Sequence, residues 1–244
     1  MSQKVAVIIG ATGGIGSALA RQLAADGWGL TLCARNAEKL EALATETGAA
    51  WAAADATKSA DVANLFREAA EHHGSVTAAV NCVGSILLKP AHLTTDAEWE
   101  ETILLNLTSA FYTVREAAKV MRRGGGAIAL CSSAAAQIGL ANHEAIAAAK
   151  AGVIGLARSA AATYAASRIR VNAVAPGLVD TPMAARIVGN EAALKVSLAM
   201  HPLGRIGQPA DVASALAWFI DPRQSWVTGQ VIGVEGGLAS LKNH

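Results

Sequence analysis

The chain has 244 residues, of which 52% are hydrophobic and 16% charged, with a formal net charge of +1. That composition excludes a disordered chain and suits one with a large buried core. A nearly neutral balance gives no electrostatic footprint for nucleic acid or an acidic membrane surface, so neither is expected as a partner.

No unbroken apolar run approaches the roughly 18 residues of a spanning segment. The opening "MSQKVAVIIGATGG" passes from a short apolar stretch directly into glycines, unlike a signal peptide, and a cytoplasmic location is expected. In chain order, short Val/Ile/Ala-rich runs at 4–9, 29–33, 50–53, 76–81, 127–131, 169–174 and 231–234 read as strands. Helical patterns at 15–26, 37–47, 61–73, 96–121, 145–165 and 209–220 lie between them. Thr95 and Asp96 supply a capping signal for the fourth helix, with Glu98 close behind. Runs without polar alternation suit strands buried on both faces. The alternation predicts an α/β fold: a Rossmann-type, doubly wound sheet of about seven parallel strands with helices on both faces, in one domain over 1–244.

The first strand runs into "GATGGIG" and then a helix. Gly10, Gly14 and Gly16 allow a tight turn, close approach of backbone to a pyrophosphate, and packing of helix on strand; Thr12 and Ile15 lie in the same turn. The helix N-terminus directs free N–H groups at the phosphates. A strand before and a helix after make this glycine cluster a dinucleotide signature. At the end of the second strand, "CARN" has Ala34 where an acid would bind a ribose 2′-hydroxyl, followed by Arg35. A cation there matches a 2′-phosphate, so NADP(H) is favoured over NAD(H).

Cys33, Cys82 and Cys131 each close a short apolar run ("LTLC", "AVNC", "IALC") and share no CxxC spacing. Reduced core thiols at three strand ends are expected, with a metal or redox role as the alternative, and no metal ligand is assigned. Residues 176–208 break the βα rhythm, placing Pro176, Gly177, Pro182, Gly189, Pro202, Gly204 and Gly207 around apolar residues such as Met183, Ile187, Leu194, Leu198 and Met200. A lid over a pocket is expected there, with an oligomer contact or a surface excursion as the alternative. Trp28, Trp51, Trp99, Trp218 and Trp226 are scattered, as packing or interface residues would be.

Taken together these motifs resemble the short-chain dehydrogenase/reductase family over nearly the whole chain. Its Gly-x-x-x-Gly-x-Gly turn matches Gly10, Gly14 and Gly16, with Ile9 where a threonine usually precedes. Its adenine-contacting aspartate matches Asp55, followed by Ala56, in "AADAT"; its Asn-Asn-Ala-Gly turn appears as "NCVG", retaining Asn81 and Gly84. The asparagine that holds a proton-relay water matches Asn106 in "LLNLTSAF", and "SS" matches Ser132 and Ser133. "VNAVAPGLVDTPM" resembles the segment cradling nicotinamide, with Pro176, Gly177, Val179 and Thr181; "VTGQVIGVEGG" resembles the C-terminal strand, with Glu235 for the commoner aspartate. The resemblance implies cofactor contacts at these positions and a homotetramer in which the long fourth and fifth helices form one interface.

The same resemblance implies chemistry by a Tyr-x-x-x-Lys pair, one helical turn apart on one face. Lys150 matches the lysine and Ser133 the substrate-holding serine, while the tyrosine position falls on Ile146 in "NHEAIAAAK". The chain's two tyrosines, Tyr112 and Tyr164, lie in other helical patterns. Isoleucine exchanges no proton, and a positioned general acid is worth about 10² to 10⁴ in rate.

Three readings follow. The first is an NADP(H)-dependent oxidoreductase acting on a small carbonyl, alcohol or activated alkene with another proton donor. Some enoyl reductases of the superfamily carry their tyrosine seven residues before the lysine, and His143 occupies that spacing here. Ser133, or a water held by Lys150 and Asn106, is a further candidate. His143 and Glu144 also read as the first turn of a helix capped by Asn142. The second reading is a catalytically weak NADP(H)-binding sensor or assembly partner. The third is loss of dinucleotide binding, against which the glycine turn, Arg35 and Asp55 argue.

Overall fold

The computed structural model describes residues 4–241; the two ends of the expected 1–244 domain, 1–3 and 242–244, lie outside the described residues. Its strands, in chain order, are β1 (Val5–Ile9), β2 (Gly29–Ala34), β3 (Ala50–Ala53), β4 (Ala78–Asn81), β5 (Gly126–Cys131), β6 (Ile169–Pro176) and β7 (Val231–Val234). Every residue of β1 and β4 is buried, which only a sheet covered on both faces can satisfy. All neighbouring pairs are parallel, in the order β3-β2-β1-β4-β5-β6-β7. The order reverses between β1 and β4, which opens a crevice at their C-terminal ends.

The helices are α1 (Gly14–Ala25), α2 (Ala37–Thr47), α3 (Ser59–His73), α4 (Asp96–Ile103), α5 (Ser109–Met121), α6 (Glu144–Tyr164), α7 (Ala185–Val188), α8 (Glu191–Met200) and α9 (Pro209–Ile220). Leu19 and Leu23 of α1, Leu40 of α2, and Leu216 and Phe219 of α9 bury one face of the sheet. Leu65 and Phe66 of α3, Val114 and Met121 of α5, and Val153 of α6 bury the other. Each such side chain contributes roughly 1.5–3 kcal/mol by leaving water. By length and composition, the stretch Glu144–Ser167 is apolar enough to cross a membrane, but α6 lays Ala145, Ala149, Val153 and Ala157 inside the fold.

Several boundaries depart from the sequence reading. The expected helix over 96–121 begins with the expected capping box, Thr95 with Glu98, but a π-helical turn (Leu104–Thr108) divides it into α4 and α5. The 176–208 segment contains α7 and α8 rather than loop alone. Asn142 does not cap α6: it has φ 63, its carbonyl accepts the Lys89 N–H at 2.8 Å, and His143 takes the N-cap position. An asparagine that adopts the left-handed region turns the chain before the helix, so its side chain does not reach the first-turn N–H groups.

Two glycines separate close packing from mere flexibility. A Cβ on Gly16 would strike the Gly10 carbonyl and lie 2.9 Å from Ala11 Cα, whereas one on exposed Gly155 of α6 would meet nothing within 4 Å. Gly16→Ala is expected to cost about 1–3 kcal/mol through backbone displacement. Gly155→Ala is expected to gain about 0.5–1 kcal/mol from helix propensity. Urea unfolding of both variants should show midpoint shifts of opposite sign.

Candidate functional site

The crevice begins at the end of β1. Gly10 has φ +81, and a Cβ there would lie 2.9 Å from the Cys82 carbonyl carbon, so the turn passes β4 at a distance that a side chain would prevent. The chain then folds back, Gly13 N–H donating to Gly10 O at 3.1 Å, and α1 starts at Gly14 with no acidic residue in its first turn. Its leading N–H groups have no partner within the helix and form a local positive end. The adjoining cleft, about 600 Å³, is lined by Gly10, Thr12, Arg35, Asp55 and Ala56 among others. Arg35 stands exposed on its rim and has no ion-pair partner among the described residues. Asp55 accepts the Thr57 N–H at 2.9 Å and the Thr57 hydroxyl at 2.7 Å; the backbone bond is the main cause holding its carboxyl below the ordinary value.

A narrower cavity of about 150 Å³ continues the cleft past Cys82, Gly84 and Ser85. Ile15, Asn106, Ser133, Ile146, Lys150, Pro176, Gly177, Val179 and Thr181 all line it. Lys150 is 7% exposed and donates from Nζ to Cys131 O at 2.9 Å, and burial pushes its pKa down. Ser132 donates to Lys150 O at 2.8 Å, pinning α6 to the end of β5. A Cβ on Gly84 would come within 2.9 Å of Asn106 Oδ1 and 3.2 Å of Lys150 Nζ, which shows how closely three chain segments converge. Asn106 sits in the π turn, a common device at functional sites. Its Nδ2 donates to Ser85 Oγ at 2.9 Å and Thr102 O at 3.0 Å, and its Oδ1 accepts the Ser85 N–H. Ser133 Oγ accepts the Ala135 N–H at 3.1 Å, which leaves its hydroxyl proton to donate.

Ser133, Ile146, Pro176 and Gly177 also line a third cavity of about 690 Å³. Its wall is largely apolar: Leu88, Leu140, Ile187, Val196 and Met200 join Ile146. His143 lies here, half-buried, its Nδ1 2.7 Å from Ala141 O; it does not line the cavity that holds Lys150 and Asn106. His201, 4% exposed, accepts the Leu178 N–H at Nε2 (3.2 Å) and lies 2.6 Å from Ser197 O through Nδ1. Through these two ring nitrogens His201 ties the end of α8 to the segment after β6.

The residues selected from the sequence thus divide. Gly10, Thr12, Arg35, Asp55 and Ala56 meet at one end, and Ile15, Asn106, Ser133, Lys150, Pro176, Gly177, Val179 and Thr181 at the other. Gly14 packs against Thr181, where a Cβ would lie 2.7 Å from Thr181 Cγ2, and Gly16 packs on the turn behind them. Asn81 is buried: its Nδ2 donates to Thr113 Oγ1 at 2.8 Å and its Oδ1 accepts the Val83 N–H at 2.9 Å, so its side chain shapes the turn after β4. Ser85 and His201 escaped sequence reasoning, since neither belongs to a spacing pattern; only the fold brings them in.

The chain matches the family model described as Enoyl-(Acyl carrier protein) reductase over residues 10–239. It is 38% identical over 247 residues to cis-4-hydroxycyclohexanecarboxylate dehydrogenase of Sinomonas cyclohexanicum, covering 98% of both chains. Among solved structures, a short-chain type dehydrogenase/reductase from Mycobacterium ulcerans superposes with a TM-score of 0.93 at 29% identity, over 98% of this chain and 91% of that one. A single-substitution variant of actinorhodin polyketide ketoreductase with NADPH superposes with a TM-score of 0.92 at 31% identity, over 98% of each chain. Fold, strand-end site and these matches agree: the chain belongs to the short-chain dehydrogenase/reductase family of oxidoreductases.

Proposed function

We propose that this protein is an NADP(H)-dependent reductase/dehydrogenase that interconverts a ketone and a secondary alcohol on a compact apolar, ring-bearing substrate. The observation that carries the reading is the narrow cavity where Asn106, Ser133 and Lys150 converge, joined through Ser133 and Ile146 to the large apolar cavity. The relative from Sinomonas is named for a substituted cyclohexane and the ketoreductase for a polyketide, which supports cyclic carbonyl chemistry here.

The residues fit a dinucleotide. The first-turn N–H groups of α1 suit a pyrophosphate, Asp55 and Ala56 the adenine side, and unpaired Arg35 a 2′-phosphate. Lys150 is the donor for the nicotinamide ribose, and Pro176, Gly177, Val179 and Thr181 border the nicotinamide. The bound nucleotide supplies or accepts a hydride. Ser133 holds the substrate oxygen with its free hydroxyl proton. His143 is the proposed proton donor: with Nδ1 tied to Ala141 O, its Nε2 is the atom left to exchange a proton in the substrate cavity. Residues 176–208, through α7 and α8, act as the lid, and exposed Trp99, Leu104 and Phe111 on the α4–α5 face suit a homotetramer contact. An activated alkene is a second substrate form, because it too needs only a hydride and one proton.

A binding role with weak turnover is favoured by one observation: Ile146, 5% exposed, presents hydrocarbon one turn before Lys150, where both cavities meet. The two readings separate in a reduction assay with a panel of cyclic ketones and NADPH. Turnover that falls about 10²-fold or more in His143→Ala supports the enzyme with this donor. NADPH binding with no turnover on any substrate sinks the enzyme reading and leaves the binding one.

In a His143→Ala background, where the proposed donor is gone, Ile146→Tyr is expected to raise ketone reduction by about 10² to 10⁴, read as the initial rate of NADPH oxidation. Arg35→Ala is expected to weaken NADPH binding by roughly 10- to 100-fold, the worth of a charge-assisted hydrogen bond, while NADH binding stays within a small factor. Equal losses for both nucleotides, read by fluorescence titration, would remove Arg35 from the 2′-phosphate site.

A further inference from the structure

Two cysteines that the proposed reaction does not use meet beside its centre. The β4–β5 register pairs Asn81 with Leu130, so the next residues on each chain, Cys82 and Cys131, stand side by side at the C-terminal edge. Both side chains are half-buried, and both residues line the small cavity with Lys150. Neighbouring strands run about 4.8 Å apart, inside the Cα separation of about 4.4–6.8 Å that a disulfide spans. Cys33, by contrast, is 1% exposed on the far side of β1, and burial pushes its thiol up to about 12.

We propose that Cys82 and Cys131 form an oxidisable dithiol, converted by small-molecule disulfides of the glutathione class into an intramolecular disulfide that weakens dinucleotide binding. The Cys131 thiolate attacks one sulfur of the oxidant, and the first small thiolate departs with the bonding pair. The deprotonated Cys82 then attacks the Cys131 sulfur of the mixed disulfide and expels the second small thiolate. Two protein thiols are oxidised, one small disulfide is reduced to two thiols, and the cysteine protons pass to those leaving groups. Lys150 Nζ, bonded to the Cys131 carbonyl at 2.9 Å, brings a cationic group beside Cys131, which favours this thiol as the attacking group.

The consequence for binding comes from Gly10. Its Cα faces the Cys82 backbone so closely that a Cβ would lie 2.9 Å from the Cys82 carbonyl carbon and 3.0 Å from Val83 N. Drawing Cys82 toward Cys131 therefore moves the backbone against which the glycine turn rests. The effect on the nucleotide depends on the proposed function; formation of the disulfide does not.

The test is incubation of the full chain with oxidised glutathione, with and without NADPH, followed by unreduced peptide mapping and thiol counting. A crosslink between the Cys82 and Cys131 peptides, loss of two of the three thiols, survival of the Cys33 thiol and reversal by dithiothreitol are expected. NADPH should slow the oxidation, and the oxidised form should bind NADPH about 5- to 100-fold more weakly. Cys82→Ser should stop at the glutathione adduct on Cys131. Separate adducts without a crosslink in the wild-type chain, or faster reaction at Cys33, would overturn the dithiol. A crosslink that leaves measurable NADPH binding unchanged would overturn its coupling to the cofactor site. If the chain bound no NADPH at all, the proposed function would fail while the crosslink still reported on the dithiol.

Discussion

A lysine ammonium withdrawn from water loses hydration worth several kcal/mol, and it stays charged only where dipoles replace that water. The site is built around holding Lys150 in that condition. Cys131 O accepts its Nζ proton at 2.9 Å, and Ser132 Oγ holds the lysine's own carbonyl at 2.8 Å. Three consecutive residues at the end of β5 thus divide the work: Cys131 binds the ammonium, Ser132 fixes the helix that carries it, and Ser133 faces the neighbouring cavity. The absence of a side chain at Gly84 keeps the opposite wall close, with Asn106 beside it. No carboxylate is among the described residues lining that cavity, so the remaining Lys150 donors are directed by geometry toward whatever enters it.

This convergence is a property of parallel strands. Gly10, Cys82, Ser132 and Gly177 are far apart in sequence, yet each follows the C-terminal end of a strand, and parallel pairing sets those ends along one edge. The edge is then closed from above by the segment after β6. Thr181 packs against Gly14, and His201 fastens Leu178 to α8 through one ring nitrogen while the other meets Ser197 O. Glycine turn, strand ends and the segment after β6 are thus packed and bonded to one another.

What could be read in the sequence follows from which constraints are local. The strands were legible because burial on both faces demands unbroken apolar runs, and the glycine turn because backbone proximity demands glycine at fixed spacing. The Thr95–Glu98 capping box was legible for the same reason. The π turn at Leu104–Thr108 was not, since one extra residue within a turn leaves no compositional mark. Nor was the role of Asn81, whose amide bonds to Thr113 from a helix 32 residues away. The three strand-end thiols are visible as such, but the placement of two of them on adjacent strands requires knowing that β4 lies beside β5.

Ile146 shows what the two cavities demand of each other. Its side chain borders both, so it sets a hydrocarbon partition beside Ser133, where an oxygen entering from the large cavity would approach Lys150. Charge developing on that oxygen would lie in a region of low effective dielectric, where the ammonium and the Ser133 hydroxyl act strongly. The same side chain has no proton to exchange. Stabilising the negative charge and neutralising it are therefore separate tasks in this site. In the proposed reaction Lys150 and Ser133 serve the first, and His143, which lines the large cavity, serves the second.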